Sequence, residues 1–185
     1  MLALPRGGVP VAAPVASALK APLDVLVVRK LGLPAQPELA MGAIAGVGGG
    51  IERVRNERVL AEASVPQDVF DAVLAEETAA LRDREQHLRS GPPEPLEGRV
   101  VVLVDDGLAT GSTMRAAVAA VRRRGPEAVV VAAPVGAPST CAALARQVDR
   151  LVCLRQPEDF RAVGRCYVDF SPVADEEVRR LLTAP

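Results

Sequence analysis

A chain of 185 residues with 22 basic and 23 acidic side chains, net charge −1, lacks the clustered basic excess that marks a nucleic-acid-binding surface. Hydrophobic residues make up 49% but aromatics only 2%, with no Trp, so the core must be Val, Leu and Ala; that is enough for one compact α/β domain, or one domain plus a small flap, without disulfides or structural metal. Cys141, Cys153 and Cys166 are odd in number and show no C-x-x-C spacing, and they read as small buried hydrophobes in a reducing cytosol.

In chain order, Met1–Leu4 is apolar and stops at Pro5-Arg6-Gly7-Gly8, a strand followed by a tight loop. Val9–Leu19 follows as a helix that tolerates Pro10 in its first turn, while Pro14 argues for a later start. The stretch 8–18, GVPVAAPVASA, imitates the apolar region of a signal peptide, but Pro10 and Pro14 interrupt it and its charged start is Arg6 plus the amino terminus. No apolar run approaches the roughly 20 residues of a membrane span, so a cytoplasmic protein with no membrane partner is expected. Leu23–Val28 predicts a second strand, ending at Arg29-Lys30.

Residues 32–55, with Pro34, Pro37 and the glycine run 46–50, predict a hairpin or mobile flap. Pro66–Arg89 predicts one long amphipathic helix, and its Val69, Phe70, Val73, Leu74, Leu81 and Leu88 approximate helical spacing. His87, the single histidine, falls on that helix's polar side. After a stiff linker at 91–98 come a strand at Val100–Val104, a helix at Ser112–Arg124 stopped by Gly125, and a strand at Ala128–Pro134. A helix at 138–147 and a strand at Leu151–Leu154 complete the alternation. Strands alternating with helices imply right-handed crossovers and a parallel sheet flanked by helices.

The chemistry concentrates in VVVLVDDGLATGST, residues 100–113. An aliphatic strand delivers the loop after it to the carboxyl edge of a parallel sheet, where such folds bind ligands. Asp105 and Asp106 sit at that edge, and Gly107 and Gly111 permit tight turns and close approach. Thr110-Gly111-Ser112-Thr113 opens a helix, so N–H groups, hydroxyls and the positive dipole end converge on a site sized for phosphate. Carboxylates beside a phosphate cradle suit ribose 5-phosphate. An ordinary capped strand-to-helix turn is the plain alternative. A Walker A loop would need one more residue and a lysine, and the glycines at 46–50 do not follow a buried strand as a Rossmann loop would.

This stretch resembles the hallmark motif of the type I phosphoribosyltransferases. ALPRGGVPVA at 3–12 is similar to the family's pyrophosphate loop, and VVRKLG at 27–32 to its second core strand leading into the flexible loop. AVG at 162–164, YVDF at 167–170 and DEEV at 175–178 resemble a bacterial subgroup whose acceptor is not obvious. The resemblance implies a core over 1–154, including a flexible loop at 33–60 and the helix at 66–89, and a small C-terminal hood or tail over 155–185, with 61–90 a further source for the hood. The family normally carries a segment ahead of the first core strand, so this chain is expected to be a short-start or truncated form, or to build its hood differently.

By the same resemblance, Asp105 and Asp106 would hold the ribose hydroxyls of phosphoribosyl pyrophosphate and meet Mg²⁺, directly or through water. Ala109, Thr110, Gly111, Ser112 and Thr113 would wrap the 5-phosphate. Arg6, Gly7 and Gly8 would cradle the pyrophosphate, with Arg29 and Lys30 as further contacts or as solvated charges at a strand end. Phe160 and Tyr167 would stack on an acceptor base or serve as packing anchors. The implied activity is Mg²⁺-dependent transfer of ribose 5-phosphate to a nitrogen acceptor, a nucleobase for choice, by a monomer or homodimer. A non-catalytic binder of phosphoribosyl pyrophosphate or nucleotide, and a hydrolase using water as acceptor, stay open beside it.

Overall fold

In the computed structural model, which describes residues 1–89 and 91–183, β1 (Leu2–Ala3) is stopped by Pro5 and followed by α1 (Gly8–Leu19). That helix runs through both prolines rather than starting after Pro14. Pro10 and Pro14 lie on its exposed face, so the carbonyl left without an N–H partner meets water. Lys20 ends it in a left-handed conformation, with φ 51°.

The expected strand at Leu23–Val28 is divided. Only β2 (Asp24–Val25) joins the large sheet, because β1 offers two ladder partners, Leu2 to Asp24 and Ala3 to Val25. From Val28 the chain enters a second, antiparallel sheet of β3 (Val28–Leu33), β4 (Gln36–Val47) and β5 (Gly50–Arg55). Gly48 and Gly49 turn β4 into β5 with φ of 55° and 79°. The hairpin expected at 32–55 is therefore present, and it is packed against the interior, with Met41 and Ile44 fully buried. Asn56 then caps α2 (Glu57–Glu62) by accepting the Val59 N–H at 3.3 Å, an element the apolar spacing did not announce. The long helix α3 (Gln67–Leu88) follows as expected.

The second half is a regular alternation of β6 (Val100–Val104), α4 (Ser112–Arg122), β7 (Ala128–Val135), α5 (Pro138–Ala145) and β8 (Arg150–Arg155). A 3-10 turn at Val163–Cys166 and α6 (Asp175–Leu182) finish the described chain. The large sheet is parallel throughout, in the order β2-β1-β6-β7-β8. Its two faces bury separate cores, as a sheet covered on both sides requires. Leu103, Val129 and Val131 pack with Val118, Val121 and Leu144 from the helices of one side. Ala3, Val25 and Val104 pack with Val9, Phe70, Leu81 and Val178 on the other. Of the three cysteines only Cys141 is buried; Cys153 is half-buried and Cys166 exposed, because the chain leaves the core after β8. Among the described residues, no helix is long and apolar enough to cross a membrane.

Candidate active site

Strand pairing brings the two glycine-bearing loops together. β1 and β6 are neighbours with Ala3 opposite Val104, and the Leu4 N–H extends the ladder to the Val104 carbonyl at 2.8 Å. Residues 5–8 and 105–107 therefore emerge side by side at the carboxyl edge. At Gly8 the approach is close enough to demand glycine, since a Cβ there would stand 2.7 Å from the Val104 carbonyl oxygen; one on Gly7 would require the Asp106 carboxylate to turn aside.

Asp105 accepts the Asp106 N–H at 2.9 Å. Burial, reinforced by the charge of Asp106, pushes the Asp105 carboxyl up to about 7. Burial also raises Asp106. Tyr167 donates its hydroxyl to the Asp106 carbonyl at 2.6 Å, so the segment after β8 is tied to this loop. Burial, then the charges of Asp106 and Asp105, raise the phenol above its ordinary value.

The rest of the loop is braced from below. Leu108 gives its N–H to Val135 at 2.9 Å and accepts from Ala137 at 2.8 Å, while the Thr140 hydroxyl donates to the Ala109 carbonyl at 2.6 Å. Gly111 enters α4 with φ 70°, leaving Thr110, Ser112 and Thr113 exposed around the helix start. The hydroxyls of Thr110 and Ser112 lie 3.2 Å apart. No acid stands in the first turn of α4. Arg115, one turn on, reaches to 3.5 Å from the Ser112 hydroxyl.

The remaining expected residues divide. Arg6 stands beside Asp175 at 3.8 Å, and Asp175 is itself gripped by both terminal nitrogens of Arg84 at 2.6 and 2.7 Å. Lys30 and Arg29 point to opposite sides of β3. Lys30 lines a cavity of about 270 Å³ with Arg55, Ser112 and Arg115, whereas Arg29 donates to Glu77 of α3 at 2.6 Å. Neither joins Arg6 in a second cavity of about 440 Å³, walled by Gly7, Asp106, Tyr167, Asp169 and Phe170. Phe160 lines neither cavity. Among the described residues no group of three or more His, Cys, Asp or Glu side chains is arranged to hold a metal ion.

Arg115 was not singled out from sequence, and Asp169 and Phe170 entered only within YVDF at 167–170, with no role given to either. Arg115 could have been found from its helical spacing to Ser112. Phe170 carried a weaker signal, as an aromatic in a chain almost without them.

The family model of the phosphoribosyl transferase domain matches residues 1–171. Two Mycobacterium tuberculosis proteins, each named "putative phosphoribosyl transferase", are 47% identical over 179 residues, 96% of this chain. That stretch is 40% of each, so the chain spans about two fifths of the length of the curated relatives it matches. The crystal structure of TT1426 from Thermus thermophilus superposes with a TM-score of 0.84 at 43% identity, covering 98% of this chain and 85% of that one. Because the matched residues include both edge loops, the large sheet and the wall from Tyr167 to Phe170, the chain belongs to the phosphoribosyl transferase family.

Proposed function

We propose that the chain binds phosphoribosyl pyrophosphate across the two edge loops and transfers its ribose 5-phosphate to a nitrogen acceptor such as a nucleobase, releasing pyrophosphate. The observation that carries this reading is the close approach of Gly7 and Gly8 to Asp106 and Asp105. It sets a backbone loop with a guanidinium beside two carboxylates that stand a short loop away from a helix start. In this reading Ala109, Thr110, Gly111, Ser112 and Thr113 hold the 5-phosphate through backbone N–H groups and hydroxyls, and Arg115 adds a cation. Asp105 and Asp106 accept the ribose hydroxyls. Arg6, Gly7 and Gly8 hold the pyrophosphate, and Lys30 adds positive charge from the small sheet. Arg29, engaged by Glu77, is left out of the set.

The donor set also fits Mg²⁺. Two hard carboxylates half-buried side by side, one of them raised to about 7, gain from a divalent cation, and Mg²⁺ commonly takes one or two carboxylates plus water and substrate phosphates. When bound it would supply charge neutralisation to the departing pyrophosphate. The chain's own work is to fix the ribose by its hydroxyls and phosphate, and to aim Arg6 where negative charge collects. Such fixed charges and donors cost little reorganisation as the bond breaks.

Incubation with phosphoribosyl pyrophosphate, Mg²⁺ and a panel of bases, with pyrophosphate followed over time, tests the proposal. Base-dependent release is expected. Release without any base would instead identify a hydrolase, and ligand binding with no release a sensor.

A further inference from the structure

Among the described residues Thr140 is the one polar side chain that folding buries, at 8% exposure. A buried hydroxyl needs a partner, and this one has a single partner: it donates to the Ala109 carbonyl at 2.6 Å. Thr140 stands in the first turn of α5, and that helix is itself tied to the same loop by the Ala137 N–H, which reaches the Leu108 carbonyl at 2.8 Å. Among the described residues no other group donates to the Ala109 carbonyl. The direction of that carbonyl is therefore set from α5 alone.

The bond has a consequence one atom further along. Ala109 and Thr110 are joined by a trans peptide, in which the carbonyl of one residue and the N–H of the next point in opposite directions. Drawing the Ala109 carbonyl toward α5 turns the Thr110 N–H away from it, to the side where Thr110, Ser112 and Thr113 are exposed. The reverse orientation of the same peptide would present a carbonyl oxygen there, and a carbonyl oxygen repels phosphate where an N–H binds it. The Thr140 methyl has separate work. It occupies the space beside Gly111, where a Cβ would lie 2.6 Å from it, and Leu144 closes the same space from 3.5 Å.

We propose that Thr140 is a positioning residue for the 5-phosphate, its hydroxyl aiming the Thr110 N–H at the ligand while its methyl supports the turn at Gly111. The inference rests on the placement of the 5-phosphate at residues 109–113 proposed above.

Four proteins test it: the parent, Thr140→Val, Thr140→Ser and Thr140→Ala. The valine and alanine variants lack the hydroxyl, and the serine and alanine variants lack the methyl. Ribose 5-phosphate is titrated into each by calorimetry, and each melting point is recorded. Affinity should follow the hydroxyl, with Thr140→Ser within about twofold of the parent and Thr140→Val and Thr140→Ala weaker by roughly tenfold or more, as for one lost hydrogen bond to a charged group. Stability should follow the methyl, with Thr140→Val close to the parent and the serine and alanine variants melting lower. If Thr140→Val does not fold, the serine and alanine variants still differ by the hydroxyl alone. Equal affinities in that pair, or affinities that track the melting point, would overturn the role of Thr140 and leave the phosphate loop standing. A parent that binds no ribose 5-phosphate at millimolar concentration would remove the loop assignment and this inference together.

Discussion

Asp105 and Asp106 end a wholly aliphatic strand, and burial governs their protonation. The Asp105 carboxyl moves from 3.8 to about 7 on folding, so the folded chain holds this proton more tightly than the unfolded one. Its contribution to stability is complete below the lower value and fades as pH rises to the upper, by up to about 1.4 kcal/mol per pH unit. Asp105→Asn should flatten stability between those two values and make the unliganded protein firmer at pH 8, while weakening phosphoribosyl pyrophosphate. Urea titrations of both proteins across pH 4–8 check this, and parallel profiles would contradict it. The phosphate loop needs a different probe. Gly111 has φ 70°, and a Cβ there would lie 2.6 Å from the Thr140 methyl, so Gly111→Asp would damage folding and binding together. Ser112→Asp avoids the confusion. Its carboxylate, exposed at a helix start, is worth about 0.3–1 kcal/mol in favour of the fold but repels phosphate. Calorimetry should show affinity for phosphoribosyl pyrophosphate lowered more than tenfold with the melting point held; unchanged affinity would remove the 5-phosphate from this loop. These positions were legible because carboxylates, glycines and hydroxyls lie together within a few residues. The bond from Tyr167 to the Asp106 carbonyl was not, since only the path of the chain joins residues so far apart.

Among the elements, the βαβ units from Val100 to Arg155 were plain in sequence, because β6 and most of β7 are aliphatic runs, β8 holds a short apolar stretch between arginines, and each helix ends at a polar or glycine turn. The small sheet was not. Its prolines and glycines suggested a loose loop, yet β4 carries Met41, Ala43, Ile44, Ala45 and Val47 into the interior. Short side chains at 42, 43, 45 and 46 hide this strand from a reading that looks for large apolar residues. Close packing explains them: a Cβ on Gly42 would collide with the Val54 carbonyl, and one on Gly46 with the Glu85 carboxylate. Ile44→Ala should therefore cost about 2–5 kcal/mol, as for any buried aliphatic residue cut back to a cavity. A loss below about 1 kcal/mol in urea denaturation would return the segment to the status of a flap. At the other end, α6 opens with Asp175 against Arg84 and Arg6, and buries Val178 among the residues beneath α1 and α3.

Taken whole, the molecule sets an early residue of its proposed site, Arg6, beside Asp175 from near the other end of the described chain. A ligand that engages both edge loops should bind only the assembled fold. Phosphoribosyl pyrophosphate with Mg²⁺ at about 100 times its Kd should then add roughly 2.7 kcal/mol to stability. No rise in melting temperature at millimolar ligand would count against the whole arrangement. The strand order has a consequence in time. β1, first in the chain and two residues long, lies between β2 and β6, and its longer-range partners Leu103 and Val104 are about a hundred residues away. Closing such a loop is entropically costly before any contact rewards it, whereas β6, β7 and β8 find one another across single helices. The second half of the sheet should thus nucleate, and β1 should dock late. In stopped-flow refolding, Val131→Ala should slow folding with a φ-value of roughly 0.5–0.8, while Val9→Ala, under the N-terminal helix, should speed unfolding with a φ-value of roughly 0–0.3. The opposite ranking would mean that the proposed pyrophosphate loop is laid down early, before the strand that gives it a neighbour.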